Sequence, residues 1–348
     1  MLSLERYHEF ALINRLTRNL KKAPNQENRR HQADAELVKQ PDGSFLALTV
    51  DTLHEEYNMG IIRDPFTVGW SVVSHCLSDL AAVAAEPIGV LLALNLPRTM
   101  DSEWSDRFFE GVHAALTEHS TFCLGGDTNF TNEPSFTCTG VGRVAQGRPL
   151  TRVGAGADDL FYVTGPLGAG NLLGILRQAD PMAWEQAEKI YRPPARLREA
   201  HLLRKWMRCA IDTSDALLQA MAILTDLNGI GIDFEHRPEL YDPRLPALTK
   251  KLNFPLWLVN VFGMGEYELL FAVSRHDEAA FLADTREKGF NVLKIGAATV
   301  NPGINLCLDD KVYALDVPYL LNLFGKCQSL DEYLQAIVTY DARLRGKK

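Results

Sequence analysis

Between Phe66 and Ala85 the chain carries apolar side chains almost all the way round a helical projection, relieved by small Ala and Ser residues. Such a segment must be covered on every side, so it predicts a helix packed closely against other elements deep in the fold. Asp79 lies inside it. A carboxylate in an apolar helix is costly unless it is hydrogen-bonded, paired or bound to a metal. The fold must therefore bring Asp79 a partner.

Five further aspartates occupy short, separate segments: Asp34, Asp51, Asp127, Asp212 and Asp215. Pro41-Asp42-Gly43 predicts a turn, and the strand pattern Ser44–Val50 after it delivers Asp51-Thr52 at a strand end. Val90–Leu96 reads as a strand and Ser102–Ser120 as a helix. Phe122–Leu124 then runs into Gly125-Gly126-Asp127-Thr128, where two glycines let backbone approach a ligand at a strand end. After a strand over Thr137–Val144, Gly147-Arg148-Pro149 reads as a domain junction.

The second half opens with a strand over Asp159–Thr164 and a glycine-rich turn, Gly165–Asn171, before a helix. That turn suits either a phosphate or no ligand at all. Arg192-Pro193-Pro194 begins a basic helix whose charge faces solvent. Cys209–Ile211 turns through Asp212-Thr213-Ser214-Asp215 into a helix ending near Asn228-Gly229, with Ser214 as a candidate cap. At the other end of the chain, Phe10, Leu12, Ile13 and Leu16 predict an opening helix, followed by a loop over Lys21–Gln32.

A single aspartate is often only a cap or turn residue. Several together suit Mg²⁺, a hard cation that joins carboxylates to substrate phosphates. A chain of 348 residues holds about two domains, divided here into 1–148 and 149–348. The net charge of −8 argues against a nucleic-acid footprint. Six cysteines without a C-x-x-C pair read as reduced, mostly buried thiols. With no long apolar run and no leader pattern, the expectation is a cytoplasmic protein without membrane contact.

The segments resemble, in order, those of the thiamine-monophosphate kinase family. Its superfamily includes aminoimidazole ribonucleotide synthetase, selenophosphate synthetase and the hydrogenase-maturation dehydratase. Thr49-Val50-Asp51-Thr52-Leu53 resembles S-T-D-T-L, and Leu77–Ala82 through Glu86-Pro87 resembles L-S-D-L-A-A-x-G-A-E-P. Gly125–Thr128 matches G-G-D-T. Arg152–Ala155 with Tyr162–Gly165 resembles R-S-G-A and Y-V-T-G, and Ile211–Asp215 resembles I-D-I-S-D.

The resemblance implies an α+β fold of two domains, the first pairing its sheet with a second copy in a homodimer and the second closing over ATP and a small phosphorylated acceptor. It implies Mg²⁺ at Asp34, Thr49, Asp51, Asp79, Asp127, Asp212 and Asp215. It also implies nucleotide contacts at Gly125, Gly126, Arg152 and Ser214, with catalysis depending on Asp127, Asp212 and Asp215. The acceptor-side positions depart from the pattern. Asn58 stands in place of a substrate-contacting histidine, Gly265 in place of a substrate-binding glutamate, and Ala33 in place of one aspartate; the usual C-terminal aromatic ending is missing.

The expected reaction is in-line transfer of the ATP γ-phosphoryl group to thiamine monophosphate. A paralogous kinase acting on another phosphate ester or alcohol is the first alternative, and a non-catalytic nucleotide-binding protein the second.

Overall fold

The computed structural model describes residues 4–346. A helix α1 (His8–Thr17) opens the chain, as the apolar spacing predicts, with Phe10 packed edge-on against His31. The first sheet follows. Strands β1 (Glu36–Lys39) and β2 (Phe45–Leu53) precede a short helix α2 (Glu55–Asn58) and the long helix α3 (Pro65–Ala82). Then come β3 (Glu86–Pro97), α4 (Ser102–Glu118), β4 (Cys123–Thr131) and β5 (Ser135–Val144). The strand order is β1-β2-β5-β3-β4.

Helix α3 is the buried helix that the sequence predicts. Asp64 caps it, accepting the Thr67 N–H at 2.9 Å, and Pro65 occupies the first turn, where its missing N–H costs nothing. It lies on β2 and β5 and packs against α4. Two glycines set the depth of that helix pair: a Cβ on Gly69 would lie 2.0 Å from the Phe108 carbonyl oxygen, and one on Gly111 2.0 Å from that of Phe66.

The second half contains β6 (Leu160–Val163), α5 (Ala169–Ala179), α6 (Pro181–Ile190), α7 (Leu197–Leu203), β7 (Met207–Asp212), α8 (Ala216–Asn228), β8 (Gly231–Glu235) and α9 (Leu245–Lys251). It continues with β9 (Leu269–Val273), α10 (Glu278–Glu287), β10 (Leu293–Thr299), β11 (Gly303–Leu308), β12 (Lys311–Ala314), α11 (Val317–Leu321) and α12 (Leu330–Leu344). Its seven strands are ordered β12-β11-β8-β10-β6-β9-β7. The mixed sheets and their helices make the fold α+β. The basic segment after Pro194 yields only the short α7.

Contacts between the halves converge on α3, which also packs against α7 and β7. At its N-terminus the Glu188 carboxylate, from α6, accepts the backbone N–H groups of Arg63 and Asp64. On its inner face His75 stacks on Tyr267, with ring centroids 3.8 Å apart. The N-terminal segment also reaches the second half. Arg6 pairs with Asp226 at 2.8 Å, and the Asn322 side chain bonds both the Arg6 carbonyl and the His8 N–H.

Replacing Gly69 by Ala raises helix propensity by about 1 kcal/mol, but it forces α3 and α4 apart. The expected net effect is a loss of roughly 1–3 kcal/mol, read from urea unfolding midpoints.

Candidate active site

The residues before β1, the last turn of α3 and the end of β7 meet where the halves touch. One carboxylate oxygen from each of Asp34, Asp79 and Asp212 lies within 4.8 Å of the other two. The sequence separates these residues widely, and α3 unites them.

Odd-numbered residues of β2 face α3, so Thr49 lies beneath the helix and donates its hydroxyl to Asp79 Oδ2. Asp51, two residues on, occupies the same face, and its Oδ1 accepts the Thr52 N–H at 2.8 Å. Asp212 accepts two hydroxyls: Ser78 Oγ at Oδ2 (2.7 Å) and Ser214 Oγ at Oδ1 (3.0 Å). Ser214 therefore orients a carboxylate and does not cap α8. Arg152 closes the group from the side, forking onto Asp34 through Nε (3.2 Å) and Nη2 (2.9 Å).

One guanidinium does not neutralise this cluster. Burial, followed by Asp212, Asp51 and Asp34, holds the Asp79 carboxyl well above the usual carboxylate range. Burial and then Asp34 push Asp212 up to about 7. Oxygen donors converging with excess negative charge suit a hard divalent cation. Ala216 and Tyr267, beside the cluster, hold φ values of 70° and 58°, strained conformations of the kind found at functional sites.

Asp215 is exposed at the start of α8 and accepts a bond from Gln219 Nε2 at 2.9 Å. Asp127 stands apart. Gly125-Gly126-Asp127-Thr128 lies within β4, not at a strand end, and every residue of that strand is exposed. Register runs from Thr52 through Thr137 and Ala93 to Asp127, so three strand spacings, roughly 14 Å, separate Asp127 from β2. Within one chain it is too remote to share an ion with Asp51.

The acceptor-side positions are also resolved. Asn58 is exposed and bonds the His54 ring at 3.0 Å. Gly265 donates its N–H to the Ser214 carbonyl at 2.9 Å. A Cβ there would lie 1.7 Å from the Thr213 carbonyl oxygen, so no side chain fits. The glycine-rich turn of the second half is occupied as well: Gly168 N–H donates to the buried Glu266 carboxylate at 2.8 Å. This internal cap replaces the phosphate reading of the turn. Ser78 and the His75–Tyr267 stack were not singled out from sequence; the spacing of His75, Ser78 and Asp79 on one helix was the available signal.

Residues 32–144 match the family described as AIR synthase related protein, N-terminal domain. The chain is 30% identical over 310 residues to the thiamine-monophosphate kinase of Buchnera aphidicola subsp. Acyrthosiphon pisum, covering 86% of this chain and 94% of that one. It is 28% identical over 297 residues to the thiamine-monophosphate kinase of Synechococcus elongatus, covering 82% and 88%. In fold it is similar to the solved structure of AaThiL complexed with AMPPCP and TMP, with a TM-score of 0.71, 24% identity, and 90% and 98% coverage.

Asp212 is raised above an unfolded value of about 3.9, so without metal its ionisation is easier in the unfolded chain. Metal-free protein should lose stability as pH rises from about 4 through about 7. Thermal scans in chelator should give a lower Tm at pH 8 than at pH 6, and Mg²⁺ should raise Tm more at pH 8; a flat profile would contradict the clustered carboxylates. Gly265→Glu should lower stability in urea without gaining any acceptor contact, because the added side chain meets the Thr213 carbonyl.

Proposed function

Because the chain belongs to the thiamine-monophosphate kinase family, we propose that it is an ATP- and Mg²⁺-dependent kinase that converts thiamine monophosphate to thiamine diphosphate, releasing ADP. The observation that carries the reading is the convergence of Asp34, Asp79 and Asp212 from both halves, bordered by Arg152. Asp34, Thr49, Asp51, Asp79 and Asp212 would hold Mg²⁺, with Asp215 at the mouth of the site; the ions would draw charge from the polyphosphate as the γ-phosphoryl group moves.

The protein's own contribution is position and charge. Asp34 holds the Arg152 guanidinium at the edge of the cluster, where it would meet a transferring phosphoryl group, and Ser214, bonded to Asp212, would face the nucleotide. The attacking acceptor oxygen belongs to a phosphate already ionised near neutral pH, so no strong general base is required. Residues 1–148 and 149–348 form the two domains of this reading, with α3 as their shared wall. Unpaired cysteines fit a reducing compartment, and we assign the protein to the cytoplasm.

The working unit of this proposal is a homodimer. β4 is an uncovered sheet edge, and Val50, Leu91, Phe122, Leu124 and Phe130 expose apolar surface on or beside the same sheet. A second copy paired there would bury this surface and bring the partner subunit's Asp127, Gly125 and Gly126 to the nucleotide. Gly265 and the outward Asn58 favour one second reading, a kinase of the same chemistry with a different phosphorylated acceptor.

Mass spectrometry after incubation with Mg-ATP and thiamine monophosphate tests the reaction: Mg²⁺-dependent thiamine diphosphate is expected, and product only from another phosphate ester would select the second reading. Asp127→Asn and Asp212→Asn homodimers should fold but lose activity. Their co-expressed mixture should recover about a quarter of it, because half the dimers are mixed and each carries one intact site. No recovery would place Asp127 outside the partner's site.

A further inference from the structure

Asp212 is the member of the carboxylate cluster supplied by the second half, and a hydroxyl from the first half holds it. Ser78, wholly buried on α3, donates to Asp212 Oδ2 at 2.7 Å across 134 positions of sequence. Ser214 donates to the other oxygen at 3.0 Å. Two donors on opposite oxygens fix the plane of a carboxylate and leave a lone pair on each oxygen for a cation. Ser78 immediately precedes Asp79, so one peptide unit of α3 carries a cluster carboxylate and the clamp on another.

We propose that Ser78 is a positioning residue that sets the Asp79–Asp212 geometry for cation binding, making α3 the gauge between the two halves. The proposal rests on the metal-dependent reading of this cluster. Ser74, one turn earlier, supplies a natural control, because its hydroxyl faces His119 Nε2 at 3.3 Å and not the carboxylates.

Without the Ser78 hydroxyl, Asp212 keeps only Ser214 and is free to rotate. Removing an outer partner of a metal ligand typically costs 10–100-fold in metal affinity. The experiment is Mn²⁺ titration of the nucleotide-free protein by electron paramagnetic resonance, for wild type, Ser78→Ala, Ser74→Ala and Asp212→Asn.

Ser78→Ala should weaken Mn²⁺ binding about tenfold or more. It should raise the Mg²⁺ half-saturation of turnover in the same ratio and leave the KM for ATP at saturating Mg²⁺ unchanged. Ser74→Ala should bind as wild type. Wild-type Mn²⁺ affinity in Ser78→Ala, or a lower Tm with unchanged affinity, overturns the positioning role if Asp212→Asn loses binding. Wild-type affinity in Asp212→Asn overturns the metal reading itself, and the inference with it.

Discussion

Mutual repulsion among carboxylates that the fold forces together is the constraint on which the rest depends. Asp79 is carried by a helix that cannot turn to water, Asp212 arrives at the end of a strand from the other half, and Asp34 approaches from the loop before β1. Bringing three such groups together opposes folding unless positive charge arrives. Arg152 supplies part of it permanently. Two serines and a threonine supply hydrogen bonds, which orient the carboxylates without cancelling their charge. The remaining imbalance is one that a bound cation would relieve.

The same logic explains the packing of α3. A helix that serves two sheets must be thin where it meets α4, hence Gly69 against the Phe108 carbonyl and Gly111 against that of Phe66. It must also be polar along one line facing the second half. His75, neutral because burial lowers its pKa to about 3, stacks on Tyr267 on that line, and Ser78 and Asp79 follow one turn later. Packing and chemistry thus share a single element.

Much of this was legible in the sequence. The apolar run predicted α3, Asp79 within it called for a partner that Thr49 supplies, and the segments around Asp51 and Asp212 fell on β2 and β7. What escaped depended on tertiary distance. Nothing local to Gly125-Gly126-Asp127 indicates that two strands lie between it and β2, because strand order is a property of the whole sheet. Ser214 read as a helix cap because capping is the local alternative; only the approach of Asp212 decides between them. Gly165–Gly168 read as open to phosphate because Glu266, far along the chain, supplies the competing carboxylate. At Gly265 the substitution was visible, but the closeness of the Thr213 carbonyl was not.

Arg6, His8 and the Asn322 side chain meet across 314 positions. On a ribosome, residues 6–8 emerge long before the residue that receives them. Closing so long a loop carries an entropic cost that grows only slowly with length, but the contact must wait for its partner to exist. Residues 6–8 therefore wait for residue 322 before this contact can form, while α1 is held by nearer partners, Phe10 on His31 and Asn14 Oδ1 against the same ring.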